Sequence, residues 1–156
     1  MEASEKHFFQ LFAEYEYKLD SQRRIAVPAP WRMENPGGKF MVIRAKGNVL
    51  QMYPEQAFVD RFAEKLWKRN PGDPKQMQAI RDFCSNIVTC ICDGQGRIQL
   101  PKELLEKAGI VSRVAMIGTG NFAQLMSAEQ RAAEREEAKR SGGEDDYLDI
   151  LDMPEG

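Results

Sequence analysis

Apolar positions along this chain follow two periods. Short alternating or wholly apolar runs at 12–19, 24–27, 40–45, 49–53, 87–92, 97–100, 113–117 and 122–126 predict eight strands. The runs ending at Val27 and Leu100 each stop at a proline, Pro28 and Pro101, which has no N–H for a continuing ladder. Gly47-Asn48 and Gly120-Asn121 separate the later runs in pairs, and both residue types accept the positive φ of tight hairpin turns. A brief helix is expected after each proline, clearer at 101–108, where Pro101 suits the first turn and Gly109 the C-terminus. Phe58, Phe62 and Leu66 at i, i+4 and i+8, widened by Val59 and Trp67, predict a helix opening at Pro54. The cluster Asn70–Pro74 breaks it, and a second helix at about 74–84 carries Met77, Ile80, Phe83 and Cys84. Ser127 and Gln130 form a capping-box pattern that starts a charged helix to about Arg140. Ser141-Gly142-Gly143 ends that helix, and the acidic remainder is expected to be mobile.

An internal repeat orders these elements. A shift of 73 sets Asp20 on Asp93, Gln22 on Gln95, Arg24 on Arg97, Ile25 on Ile98 and Pro28 on Pro101. It also sets Gly47 on Gly120, Asn48 on Asn121 and Gln51 on Gln124, eight identities in 37 positions where chance gives about two. Apolar character matches at Val27/Leu100, Ile43/Met116 and Met52/Leu125, while 29–46 against 102–119 has no identities. About 40 residues of short strands cannot bury a core alone. The two copies are therefore expected to close one shared β core. The expected organisation is repeat 1 at 13–60, a helical connector at 61–85, repeat 2 at 86–130, and a charged helix with acidic tail at 131–156.

Composition narrows the function. Apolar runs reach only four residues, so no membrane-spanning helix is expected. The polar, acidic start Met1–Lys6 does not read as a secretory signal. Three cysteines, Cys84, Cys90 and Cys92, are expected to be small packed residues in a reducing compartment; they lack the ligand number and spacing of structural zinc. The net charge of −2 conceals an asymmetry: residues 128–156 carry four basic and ten acidic groups, the preceding 127 eighteen and fourteen. The body is thus mildly basic, and a polyanionic partner is admissible.

The repeated turn carries the candidate chemistry. Each copy sets an aspartate four residues before an arginine across a strand-to-strand turn. The aspartate can accept the turn's own N–H groups, and the arginine can fork onto guanine or phosphate. A single Asp-x-x-x-Arg usually means a surface ion pair. Its duplication at one offset favours DNA-binding residues Asp20, Arg24, Asp93 and Arg97, with Lys18, Arg23 and Arg44 adding charge. The spacing Gly118-x-Gly120 is too short for a dinucleotide fingerprint and reads as a turn. No nucleophile–base pair, metal set or phosphate loop is evident, and the single histidine, His7, has no orienting partner; no enzyme activity, cofactor or metal is expected.

At these residues the chain resembles the bacterial MraZ proteins. Tyr15-Glu-Tyr-Lys-Leu-Asp-Ser-Gln-Arg-Arg-Ile-Ala-Val-Pro is similar to their first signature, and Cys92-Asp-Gly-Gln-Gly-Arg-Ile-Gln-Leu-Pro to their second. Ile117-Gly-Thr-Gly-Asn resembles their second hairpin, so the likeness runs over about 12–130. It implies two tandem SpoVT-AbrB swapped-hairpin units, mainly β with helices, in one pseudo-twofold barrel. It also implies a sequence-specific, cytoplasmic, nucleoid-associated regulator of the division and cell-wall gene cluster. Ring-shaped homo-oligomers would bind short direct repeats in double-stranded DNA through the Asp-x-x-x-Arg turns. Arg23 stands where the family's first motif has glycine, and is expected to shift the loop backbone or add a phosphate contact. The N-terminal extension and acidic tail lie outside the family pattern. The alternative is an antitoxin-like or scaffolding interaction module whose acidic tail engages a basic protein partner.

Overall fold

A computed structural model describes residues 7–155; the expectation for Met1–Lys6 lies outside the described residues. The element order is β1 (Glu14–Lys18), β2 (Arg24–Ala26), α1 (Ala29–Glu34), β3 (Lys39–Ala45), β4 (Val49–Pro54), α2 (Glu55–Trp67) and α3 (Pro74–Ser85). It continues with β5 (Val88–Ile91), β6 (Arg97–Gln99), α4 (Lys102–Lys107), β7 (Arg113–Gly118), β8 (Ala123–Ser127), α5 (Ala128–Ser141) and a 3-10 helix at Asp146–Asp152. The acidic tail, expected to be mobile, thus carries exposed 3-10 turns.

All pairing is antiparallel: a six-stranded sheet in the order β1-β7-β8-β4-β3-β5, and a separate ribbon of β2 and β6. The β-rich class with helices is as expected, but the sheet stays open, with β1 and β5 as its edges, where a closed barrel was anticipated. Exchange is visible in the order itself, because β1 of the first copy pairs with β7 of the second, and β5 with β3. Neither copy completes a sheet without the other.

Two pairs mark the pseudo-twofold axis. Ile25 lies opposite Ile98 in the ribbon, and Gln51 opposite Gln124 in the sheet, each a residue facing its own repeat equivalent. Between these points the ungapped shift slips by one. Ile43 faces Gln51 and Ile117 faces Gln124, so Ile43 corresponds to Ile117, and Met116 to Val42. The cause is a longer first hairpin: three residues separate the Ala45–Val49 pair, whereas Gly120 and Asn121 alone are enclosed by the Thr119 N–H to Phe122 carbonyl bond of 2.8 Å. A compensating residue between the ribbon and β7 restores the shift of 73.

Strand alternation divides the sheet into two faces. The inner face sends Phe40, Val42, Leu50, Met52, Val114, Met116 and Leu125 against Ile25, Val27, Ile98 and Leu100 of the ribbon segments. Trp31 of α1 and Leu104 and Leu105 of α4 close the ends of this core. Trp31 is fully buried and donates its indole N–H to the Phe12 carbonyl at 2.9 Å. On the outer face, α2 and α3 cover the first hairpin through Ile43, Tyr53, Phe58, Phe62 and Phe83. Val59 and Trp67, expected to widen the α2 stripe, instead point to solvent. Helix α5 follows β8 as α2 follows β4. Its cap is half of the expected box: Ser127 accepts the Gln130 N–H at 3.0 Å, but the Gln130 amide reaches the Gly47 carbonyl at 2.8 Å. Arg131 and Arg135 tie α5 to Glu14 at 2.9 Å each.

The segment before β1 also packs. Leu11 is fully buried, bridges to Gly120, and runs so close to Gly118 that a Cβ there would lie 2.4 Å from the Leu11 carbonyl oxygen. Of the cysteines, Cys90 is buried, Cys92 partly so, and Cys84 exposed on α3, which corrects the expectation of packing for that one. Burial pushes the Cys90 thiol up to about 11, too high for a reactive thiolate at neutral pH.

Candidate nucleic-acid interface

The two Asp-x-x-x-Arg turns have one geometry. In the first, Asp20 Oδ1 accepts the N–H of Gln22 at 2.9 Å and of Arg24 at 2.8 Å, while Oδ2 holds Arg24 Nε at 2.7 Å. In the second, Asp93 Oδ1 accepts Gln95 at 2.9 Å and Arg97 at 3.0 Å, and Oδ2 holds Arg97 Nε at 3.0 Å. Backbone bonds close both loops, from Asp20 N to the Arg24 carbonyl at 3.0 Å and from Asp93 N to the Arg97 carbonyl at 2.8 Å. An aspartate is required because one oxygen satisfies two turn amides while the other is left for the guanidinium. These N–H groups, first those of Arg24 and Arg97, hold both carboxyls below the usual carboxylate range.

The fourth turn residue has positive φ in both copies, +61° at Arg23 and +74° at Gly96. Arg23 therefore keeps the loop backbone unchanged instead of shifting it. Its Nε donates to the Leu100 carbonyl at 3.3 Å, and Leu100 N returns a bond to the Arg23 carbonyl at 2.9 Å. The Gln99 amide adds a further cross-ribbon bond to the Gln22 carbonyl at 2.9 Å.

The ribbon register fixes where the arginines point. Ile25 and Ile98 face the core, so Arg24, Ala26, Arg97 and Gln99 share the outward face. Arg24 and Arg97 occupy diagonal positions, which lie about 7–8 Å apart with their Cβ atoms somewhat closer. Arg97 Nη1 comes within 3.8 Å of Asp20 Oδ2, joining both turns into one cluster of alternating charge. The structure thus brings Asp20, Arg24, Asp93, Arg97 and Arg23 together. Lys18 is exposed at the end of β1 on the face of Glu14 and Glu16, opposite Tyr15 and Tyr17, and does not join the cluster. Arg44 is exposed on β3 in the sheet.

Sequence reasoning missed Arg32, whose guanidinium lies over Gly96 and whose Nε donates to the Val27 carbonyl at 3.1 Å. Among the described residues no group of three or more His, Cys, Asp or Glu could hold a metal. Nor, among the described residues, is any helix long and apolar enough to cross a membrane.

Comparison with known proteins places this arrangement. Residues 11–79 match the family model described as "MraZ protein, putative antitoxin-like". The chain is 32% identical over 136 residues to the transcriptional regulator MraZ of Corynebacterium glutamicum strain R, covering 86% of this chain and 94% of that one. It is 33% identical over 136 residues to the protein of that name from Halothermothrix orenii, covering 87% and 85% of the two chains. The protein of that name from Caldanaerobacter subterraneus subsp. tengcongensis is 35% identical over 120 residues, covering 76% and 82%. With about a third of its residues shared across most of both chains, this protein belongs to the MraZ family.

Proposed function

We propose that this chain is a transcriptional regulator that reads double-stranded DNA with its β2/β6 ribbon. The observation that carries the reading is the pair of aspartate-held arginines on the ribbon's single outward face. A two-stranded ribbon fits the major groove, where arginine is the usual reader of guanine O6 and N7. Arginines about 7–8 Å apart span roughly two base steps at 3.4 Å each, so both reach one groove together. Arg24 and Arg97 contact bases, Asp20 and Asp93 hold them, Arg23 adds a phosphate contact, and Lys18 lies at the margin. Repeats 13–60 and 86–130 act as one reading unit. No catalytic step and no cofactor enter this reading.

One ribbon makes few contacts, so binding draws on avidity from a closed ring of copies on short direct repeats. The target is the region in front of the division and cell-wall gene cluster, and the protein works in the cytoplasm at the nucleoid. Fluorescence anisotropy on the upstream region of its own gene, against a shuffled duplex of equal composition, tests this. The expected result is tighter binding to the native duplex, lost with Arg24→Ala and Arg97→Ala. Equal binding of both duplexes, unaffected by either substitution, would falsify the reading.

The tail supports a second, protein-binding role. Tyr147, Ile150, Leu151 and Met153 stand exposed among six acidic residues between Glu144 and Glu155. A basic protein partner with an apolar groove suits that chemistry. Deleting 141–156 should abolish capture of such a partner while DNA affinity persists; loss of DNA binding alone would count against it.

A further inference from the structure

The aspartate-held arginines bring little net charge to a polyanion. Each guanidinium is matched by a carboxylate, so Asp20, Arg24, Asp93 and Arg97 together are neutral. Attraction to phosphate must come from cations beside them. Arg23 and Arg32 occupy those places, and neither forms an ion pair among the described residues, unlike Arg24 and Arg97.

Their positions are equivalent in space although not in sequence. Arg23 Nε binds the Leu100 carbonyl, and Arg32 Nε binds the Val27 carbonyl. Val27 and Leu100 correspond through the shift of 73. Each carbonyl belongs to a residue whose N–H crosses the ribbon to the positive-φ position, Leu100 to Arg23 and Val27 to Gly96, at 2.9 Å in both cases. Beside the first turn the guanidinium comes from the turn itself. Beside the second it comes from α1 of the other copy, and lies where a Gly96 side chain would start, with Cζ 2.7 Å from an ideal Cβ.

The repeat equivalent of Arg32 explains the exchange. Position 105, 73 residues on, is Leu105, 4% exposed and turned into the core. Position 105 of helix α4 therefore offers the first turn no guanidinium corresponding to that of Arg32. A non-glycine residue at φ +61° is held in a strained, left-handed conformation. The chain retains it where it restores the missing guanidinium.

We propose that Arg23 and Arg32 are paired phosphate-binding cations, one beside each turn, and that they rather than Arg24 and Arg97 set the salt dependence of DNA binding. The proposal rests on the DNA-reading function above. Each side chain is anchored through Nε, which leaves its terminal amino groups for a phosphate oxygen, and Arg32 is exposed while Arg23 is half-buried. The division of labour is between neutralised arginines that specify and uncompensated ones that attract.

The experiment is anisotropy on the native and shuffled duplexes from about 50 to 200 mM salt, with the full-length chain and its Arg23→Gln, Arg32→Gln and Arg32→Lys variants. Each Gln variant should weaken both duplexes alike. Each should also reduce the magnitude of the log–log salt slope by about one per bound chain. Arg32→Lys should restore the slope, which a role confined to holding the Val27 carbonyl does not predict. Unchanged slopes in both Gln variants overturn the proposal, as does a Gln effect that Lys fails to rescue. Arg97→Ala, run alongside, separates the two claims. If it abolishes preference for the native duplex while the Gln variants leave the slope alone, the phosphate assignment fails and the reading function stands. If neither duplex is bound, both fail.

Discussion

Replacing Arg97 by lysine keeps the charge and removes the fork. In the structure Arg97 spends its Nε on Asp93 Oδ2 at 3.0 Å and brings Nη1 within 3.8 Å of Asp20. The planar group can therefore be held at one edge and still offer a terminal edge to a base. A lysine ammonium is one point charge on a flexible stem; held by Asp93 it has no second edge, and released it has no fixed aim. A lost bidentate guanine contact costs about 1–3 kcal/mol, or roughly 5- to 150-fold in affinity for the native duplex. Long-range attraction depends on charge alone, so affinity for the shuffled duplex and the salt slope should stay as they were. Exposed ion pairs contribute little to stability, so the melting midpoint should move by no more than about 4 °C. Anisotropy on both duplexes from about 50 to 200 mM salt, with a parallel thermal melt, measures all four quantities. Native-duplex affinity equal to that of the unsubstituted chain would show that Arg97 acts only as a charge, and the base-reading role would be lost. A fall shared equally by both duplexes would do the same.

The fold carries predictions of its own. Ile98→Ala removes half of the buried pair on the pseudo-twofold axis and should cost about 2–5 kcal/mol, read as a fall in the urea midpoint at unchanged m-value. A loss below about 1 kcal/mol would mean the ribbon is not clamped to the sheet through this pair. Gly118→Ala should expel the 11–12 segment, since its Cβ meets the Leu11 carbonyl; loss of Leu11 burial is worth about 1.5–3 kcal/mol. Hydrogen exchange at the Leu11 and Gly120 amides, bonded to each other's carbonyls at 2.9 Å, should accelerate, and unchanged protection would refute the packing. Both turn carboxyls titrate below the ordinary range, so near pH 4 the folded state binds fewer protons than the unfolded chain. Their stabilisation is complete above the unfolded value and disappears as pH falls through the lower folded one. Melting midpoints measured from pH 6 to pH 2 should drop below about pH 4. The drop should be shallower for the Asp20→Asn/Asp93→Asn double variant.

What the sequence revealed and what it withheld divide along one physical line. Features fixed by a residue's own backbone needs were readable: Pro28 and Pro101 end the ribbon strands, Gly47-Asn48 and Gly120-Asn121 turn the hairpins, and each aspartate closes its own loop within four residues. Features fixed by what lies across space were not. The one-residue slip between β3 and β7 is invisible because a longer hairpin and a compensating residue cancel in the total shift. Val59 and Trp67 fit a helical stripe, yet α2 meets the sheet over a narrower arc than the stripe allows. The strained Arg23 shows the same distinction inside the site. Read along the chain, it departs from the glycine at its own repeat position. Read across the ribbon, it answers a second departure, Leu105 in the place that corresponds to Arg32. Two substitutions that look unrelated when each copy is compared position by position leave one guanidinium beside each turn. A duplicated interface can thus keep its symmetry in chemical groups after losing it in sequence, because the ribbon brings opposite copies within reach of the same two carbonyls.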